Sequence, residues 1–257
     1  KMESAYEKRP TEKEYLQDSY KYESSATVLA VLPDEKDDKL FKVLLDRTIF
    51  HPQGGGQPSD EGTISTDKAT FVVSDLTLDK ETEQLWHKGK FGEAQFSAGE
   101  TVSLKINGEK RKLNARLHSA GHLVDIAVAR LQLKWEPGKG YHFPDGSYVE
   151  YAGVIPTDRP DLKSELQAVT NEVIKDTKDE DGADVQVWKY EEASKYIEVP
   201  SYFPEGKNIR YVKLSKEDKG CPCGGTHVKH LKDIGSVTIE KIQKKGKNLR
   251  VSYSVAQ

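Results

Sequence analysis

The sequence predicts an α+β fold in two parts, and three observations carry that reading. Between Ser25 and Ser103, short β-prone runs alternate with turn residues. From residue 113 to 133 the apolar spacing turns helical. Beyond that stretch, strands and helices follow in mixed order, the pattern of an α+β domain.

The first part holds "ATVLAVL", "FKVLLDRTIF", "GTIS", "TFVVSDLTL", "EQLWHKG" and "TVSLKI". Strands this short, with Asp, Gly and Pro between them, predict a small barrel or a sandwich. "INGEK", 106–110, carries an Asn-Gly turn signal and marks the boundary. "LNARLHSAGHLVDIAVARLQL" then sets Leu117, Ala120, Val124, Ala127, Val128 and Leu131 at helical spacing. "KGYHFPDGSYVEYAGV" reads as a hairpin around Pro144, Asp145 and Gly146. "RPDLKSELQAVTNEVIKDT" is a second helix with Pro160 near its start. "ADVQVWKY" is a strand and "EEASKY" a short helix, and the last hairpin turns at Lys245–Lys247.

With 257 residues, 35% hydrophobic and 32% charged, the chain has the composition of a globular protein with a heavily solvated surface. No apolar run approaches the roughly 20 residues that cross a bilayer, and the first residues lack the apolar core of a signal peptide, so a cytoplasmic location is expected. A net charge of −3 excludes a uniformly basic nucleic-acid binder but leaves room for local phosphate patches at 105–116 and 229–250.

His118 and His122 lie four apart on the long helix, so both rings project from one face and can converge on one ion. Far downstream, "CPCGGTHV" repeats the interval in Cys223 and His227, with two glycines freeing the backbone to bend. A thiolate with imidazoles is the donor mixture zinc prefers. Cys221 competes with Cys223; the matching interval selects Cys223. One proline separates the two cysteines, poor geometry for a disulfide. His51, His87, His142 and His230 read as hydrogen-bonded surface residues. Histidine-rich though it is, "HSAGH" has no glutamate after its first histidine, which argues against a zinc peptidase.

Taken together, "DRTIFHPQGGGQPSDEG", "NARLHSAGH", "KGYHFPDGSYVEY" and "CGGTHV" resemble the AlaX family, free-standing relatives of the alanyl-tRNA synthetase editing domain. The resemblance runs from about residue 14 to the end. It implies a small N-terminal β-barrel domain (1–107) with a glycine-rich motif and a C-terminal α/β editing domain (108–257) of the kind shared with threonyl-tRNA synthetases. It further implies Zn²⁺ held by His118, His122, Cys223 and His227. The implied activity is hydrolysis in trans of the ester on mischarged tRNA, engaged at its acceptor end, with serine on alanine tRNA as the leading substrate. Serine on threonine tRNA is the alternative substrate, and a non-catalytic tRNA- or synthetase-binding module with structural zinc is the alternative function. Neither a membrane nor DNA is an expected partner.

Such an activity answers a physical limit. A pocket shaped for alanine discriminates against serine by only about a hundredfold, short of the roughly 10⁴ that translation needs. A second site must clear the error, and the ester is already activated.

The same resemblance gives other residues provisional roles. Gly54, Gly55 and Gly56 are expected either to bring backbone amides to the terminal adenosine or aminoacyl group, or simply to supply positive φ in a tight turn. Gln57 offers a side-chain amide, and Glu150 a carboxylate near the site or a plain strand residue. Lys139, Arg116, Lys229 and Arg111 form a candidate phosphate patch. Gly121 departs from the family pattern, in which threonine is common. A helix-interior glycine costs about 1 kcal/mol relative to alanine, so either close packing or room for the substrate's side chain must offset it. Four protein ligands also close a tetrahedral zinc, so zinc is expected to orient substrate or water through a loosened ligand or a fifth position. Cys223 spent on zinc is a weakened nucleophile.

Overall fold

Six strands of the N-terminal half close into a barrel. The computed structural model describes residues 9–178, 183–197, 199, 203 and 205–256, and the chain divides into two compact units, Lys1–Ala115 and Arg116–Gln257.

The first unit contains β1 (Glu12–Lys13), β2 (Glu23–Pro33), β3 (Phe41–Leu45), β4 (Arg47–Thr48), β5 (Gly62–Ser65), β6 (Thr70–Leu78), β7 (Leu85–Phe91) and β8 (Thr101–Ile106). The barrel order is β2-β3-β7-β6-β5-β8, and β1 pairs in parallel with β4. Closure leaves the sheet no free edge. Alternation explains the filling: in β8, Val102, Leu104 and Ile106 point inward between exposed neighbours, and they meet Val28, Val43, Ile64 and Phe71 in the core. Of barrel and sandwich, the barrel forms.

Three residues read as surface groups are buried here, and the first, His51, is 2% exposed with its backbone N–H donating to Asp60 at 2.6 Å. His87 is fully buried, because β7 alternates and puts it on the inward face with Leu85. Its Nδ1–H donates to the Val43 carbonyl at 3.1 Å, and its Nε2 accepts from the Thr48 hydroxyl at 2.8 Å. Arg111 is also fully buried. Its Nε donates to Asp60 at 3.0 Å and its Nη1 to the Ser19 carbonyl at 3.0 Å, while Nη2 joins Asp60 and Ile49. A guanidinium so enclosed cannot serve a phosphate patch.

The Asn-Gly pair is a helix cap rather than a β-turn. Asn107 accepts the Lys110 N–H on its side chain at 3.1 Å and the Arg111 N–H on its carbonyl at 3.0 Å. Helix α1 therefore begins at Gly108 and runs to Arg130, ahead of the expected start at 113.

The second unit adds β9 (Glu136–Tyr141), β10 (Tyr148–Ala152), α2 (Leu162–Asp176), β11 (Asp184–Trp188), α3 (Tyr190–Ala193), β12 (Ile209–Lys213), β13 (Cys221–Pro222), β14 (Val237–Lys245) and β15 (Asn248–Val255). One antiparallel sheet runs β14-β15-β10-β9 and a second β11-β12-β13. The two expected hairpins are β9–β10 and β14–β15. Leu117, Ala120, Val124, Ala127 and Val128 of α1 are buried as their spacing predicts. Helix α2 packs on β14 and buries Leu166, Thr170 and Val173, and its Asn171 exchanges hydrogen bonds with both backbone groups of Val237. The fold is mixed α+β, mostly sheet. No helix among the described residues is long and apolar enough to cross a membrane.

Candidate metal centre

α1 delivers His118 and His122 from adjacent turns of one face, with ring centroids 5.3 Å apart. The segment after β13 delivers Cys223 and His227. One ligand atom from each of these four residues lies within 4.8 Å of the others. Cys223 Sγ is 3.4 Å from His118 Nε2 and 3.3 Å from His227 Nε2. Those separations are close to the edge, roughly 3.5 Å, of a tetrahedron with metal–ligand lengths of about 2.0 Å to nitrogen and 2.3 Å to sulfur. The donor set and its spacing fit a single metal ion.

Three features hold Cys223 and His227 in place. Cys223 N–H donates to the Arg210 carbonyl at 2.9 Å, extending the β12–β13 pairing to the ligand itself. The Arg210 side chain returns to the carbonyls of Cys223 (2.7 Å) and Gly225 (3.1 Å), gripping the glycine turn from inside. Ser119, between the two helix histidines, accepts the Val228 N–H at 3.1 Å and sits 3.1 Å from His227 Nδ1. With Nδ1 engaged there, Nε2 of His227 is the nitrogen turned to Cys223.

The electrostatics favour a thiolate. Burial opposes ionisation of Cys223, but the neighbouring His118 and His227 outweigh it and hold the thiol well below its ordinary range. Burial pushes His227 down to about 3. At His122, burial acts downward, yet Cys221 and Cys223 prevail and raise it. Cys221 is not in the four-residue cluster; its sulfur lies 3.7 Å from His122 Nδ1. One turn along the helix, burial raises Asp125 to about 6, and Tyr151 donates its hydroxyl proton to it at 2.5 Å.

His142 is no surface residue. It is 5% exposed, with its ring stacked on His118 at 4.4 Å between centroids. A Cβ at Gly121 would lie 2.5 Å from His142 Cε1 and 2.8 Å from the Tyr253 hydroxyl. The space that glycine leaves in the helix is thus filled by these two side chains.

The other residues singled out in the sequence are placed as follows. Gly54 and Gln57 exchange backbone hydrogen bonds of 3.1 and 3.0 Å. Gly55 (φ 57°) and Gly56 (φ 78°) turn the corner between them, a two-residue turn that requires positive φ twice. Gly54 and Gly55 are exposed, and Gln57 is buried. Glu150 accepts from Arg250 at 2.8 Å, and that hydrogen bond holds its carboxyl below the usual range. The same guanidinium lies 3.7 Å over the Tyr148 ring. Arg116 donates to the carbonyls of Ile234 at 2.7 Å and Ala256 at 2.5 Å. Lys139 and Lys229 are exposed.

Sequence reasoning did not find Ser119, Arg210, His142 or Tyr253. Ser119 was signalled by its position between two histidines of the cluster on the same helix. The others come to the site through strand pairing distant in sequence.

Comparison with known proteins fits this picture. Residues 2–110 match the family described as tRNA synthetases class II (A), and residues 208–250 match the threonyl and alanyl tRNA synthetase second additional domain, which takes in Cys223 and His227. The chain is 31% identical over 247 residues to the alanyl-tRNA editing protein AlaX-L of Pyrococcus horikoshii, covering 95% of this chain but only 57% of that relative. It is 30% identical over 231 residues to AlaX-M of the same organism, covering 88% of this chain and 89% of the relative. AlaX-M of Methanosarcina barkeri is 31% identical over 252 residues, with 95% and 98% covered. The chain belongs to the AlaX family of alanyl-tRNA editing proteins.

Proposed function

We propose that this protein is a trans-acting aminoacyl-tRNA deacylase, dependent on one zinc ion, that hydrolyses the ester of mischarged tRNA, with serine on alanine tRNA as its substrate. The observation that carries the reading is the convergence of His118, His122, Cys223 and His227 within 4.8 Å, in a chain whose AlaX-M relatives are alanyl-tRNA editing proteins along almost their whole length. Zinc held there would supply positive charge to orient the ester or its attacking water.

The chain's own residues do the rest. Ser119 and Arg210 keep the Cys223–His227 turn in register with the helix, so the donors are preorganised before substrate arrives. The Gly54 N–H is spent on the Gln57 carbonyl, so exposed Gly55 contributes the amide to substrate binding, and exposed Lys139 contributes charge toward the acceptor-end phosphates. Arg116, committed to two carbonyls, and Glu150, paired to Arg250, support the site by holding backbone and strand rather than by touching the ester. Gln57 and Gly121 act from within the packing, Gly121 by admitting His142 beside the ligands.

The test is release of the amino acid from charged tRNA. Serine on alanine tRNA is expected to be lost rapidly, with alanine on the same tRNA spared. Faster loss of serine from threonine tRNA would reassign the substrate, and tight binding of every tRNA without loss would make the protein a binding module.

A further inference from the structure

The packing around His118 closes on itself. Tyr253, on β15, is 2% exposed and donates its only hydroxyl proton to the Leu117 carbonyl at 2.9 Å. His142 Nδ1 lies 2.6 Å from that same oxygen. The oxygen has no second proton to give, so Nδ1 must be the donor, and the tautomer of His142 is fixed. The ring then returns to the helix one residue beyond Leu117, stacking on His118 at 4.4 Å with the planes 21° apart.

Two glycines make the slot. A Cβ at Gly121 would stand 2.5 Å from His142 Cε1, and one at Gly140 would stand 2.5 Å from its Nε2. An alanine at either position would push the ring away. A helix-interior glycine one residue before His122, against its own intrinsic cost, is accounted for by this slot.

We propose that His142 is a positioning residue for the metal ligand His118: fixed in one tautomer by Tyr253 and lodged between Gly121 and Gly140, its ring is the plate that sets the angle at which the His118 imidazole meets the metal. Ordinary metal-bound histidines are oriented by a hydrogen bond to their second nitrogen. The stacked ring of His142, itself oriented by a hydrogen bond, adds a further constraint on the His118 imidazole. This inference rests on the metal reading above.

Cobalt(II) titration of the full-length protein tests it, with affinity measured against a chromophoric chelator and geometry read from the visible ligand-field bands. Wild type is expected to bind one Co²⁺. His142→Ala should bind roughly 10- to 100-fold more weakly, with altered bands. Tyr253→Phe, which lacks only the oxygen that fixes His142, should shift the bands in the same direction. Gly121→Ala should resemble His142→Ala although alanine is the better helix former, and in a His142→Ala/Tyr253→Phe background, which removes both groups that a Cβ at Gly121 would meet, the same change should cause no further loss. A purely structural role would lower thermal stability and leave the bands unmoved. Unchanged affinity and bands in His142→Ala overturn the proposal; if that variant does not fold, unchanged bands in Tyr253→Phe do so. A wild type that binds no metal would instead overturn the metal reading beneath it.

Discussion

Ser119 and His227 meet across 108 positions of sequence, with Oγ and Nδ1 3.1 Å apart. The Val228 N–H already donates to that oxygen, so the hydroxyl fixes both the imidazole and the backbone just after it. Ser119→Ala is expected to weaken metal binding by about 10- to 100-fold with little change in fold. Chelator competition on the purified variant measures this, and an affinity equal to wild type would remove Ser119 from the account.

The glycine turn gives a second prediction. Gly55 has φ of 57°, where a side chain costs about 1–2 kcal/mol and a branched one also blocks the exposed main chain. Gly55→Val should cut deacylation while leaving metal content unchanged. A fully active variant would reduce the triplet to a turn.

Buried charge predicts a contrast between neighbours on α1. Arg111 and Asp60 are paired with side-chain exposures of 0% and 1%, whereas Lys110 and Glu61 pair at 55% and 54%. Removing one partner of the buried pair, as in Asp60→Asn, should cost about 3–5 kcal/mol. Lys110→Ala should cost less than about 1 kcal/mol. Denaturant unfolding of both variants gives the comparison, and similar losses would contradict it.

His87 predicts the sign of one pH effect. Burial lowers it from 6.5 to about 4, so between those values the unfolded chain binds a proton that the folded chain does not. Stability from this residue is therefore complete above pH 6.5 and falls as the pH drops toward 4, by about 3 kcal/mol in all. The loss between pH 7 and pH 4 should be smaller in His87→Gln than in wild type; equal losses would show that His87 does not titrate this way.

The four residues of the candidate metal cluster were legible because their chemistry travels in short intervals: four residues on a helix, and four across a glycine turn. His87 was legible in principle, since alternation with Leu85 turns it inward. So was Arg111, which shares a buried face with Asn114, Ala115 and His118 at helical spacing. Both were obscured by the expectation that polar residues face solvent, and Arg111 also by reading the Asn107 cap as a turn. His142, Tyr253 and Arg210 were not legible. What brings them to the site is the pairing of β10 with β9 and β15 and of β12 with β13, and no local interval in the sequence encodes that.

The central claim is that four side chains hold one ion and that hydrolysis depends on it. The direct measurement is metal content alongside serine release from alanine tRNA, before chelation, after it, and after zinc is returned. One zinc per chain, loss of activity on its removal and recovery at one equivalent is the predicted result. Full activity in chelated protein, or in a His118→Ala/Cys223→Ala variant that binds no metal, would contradict it.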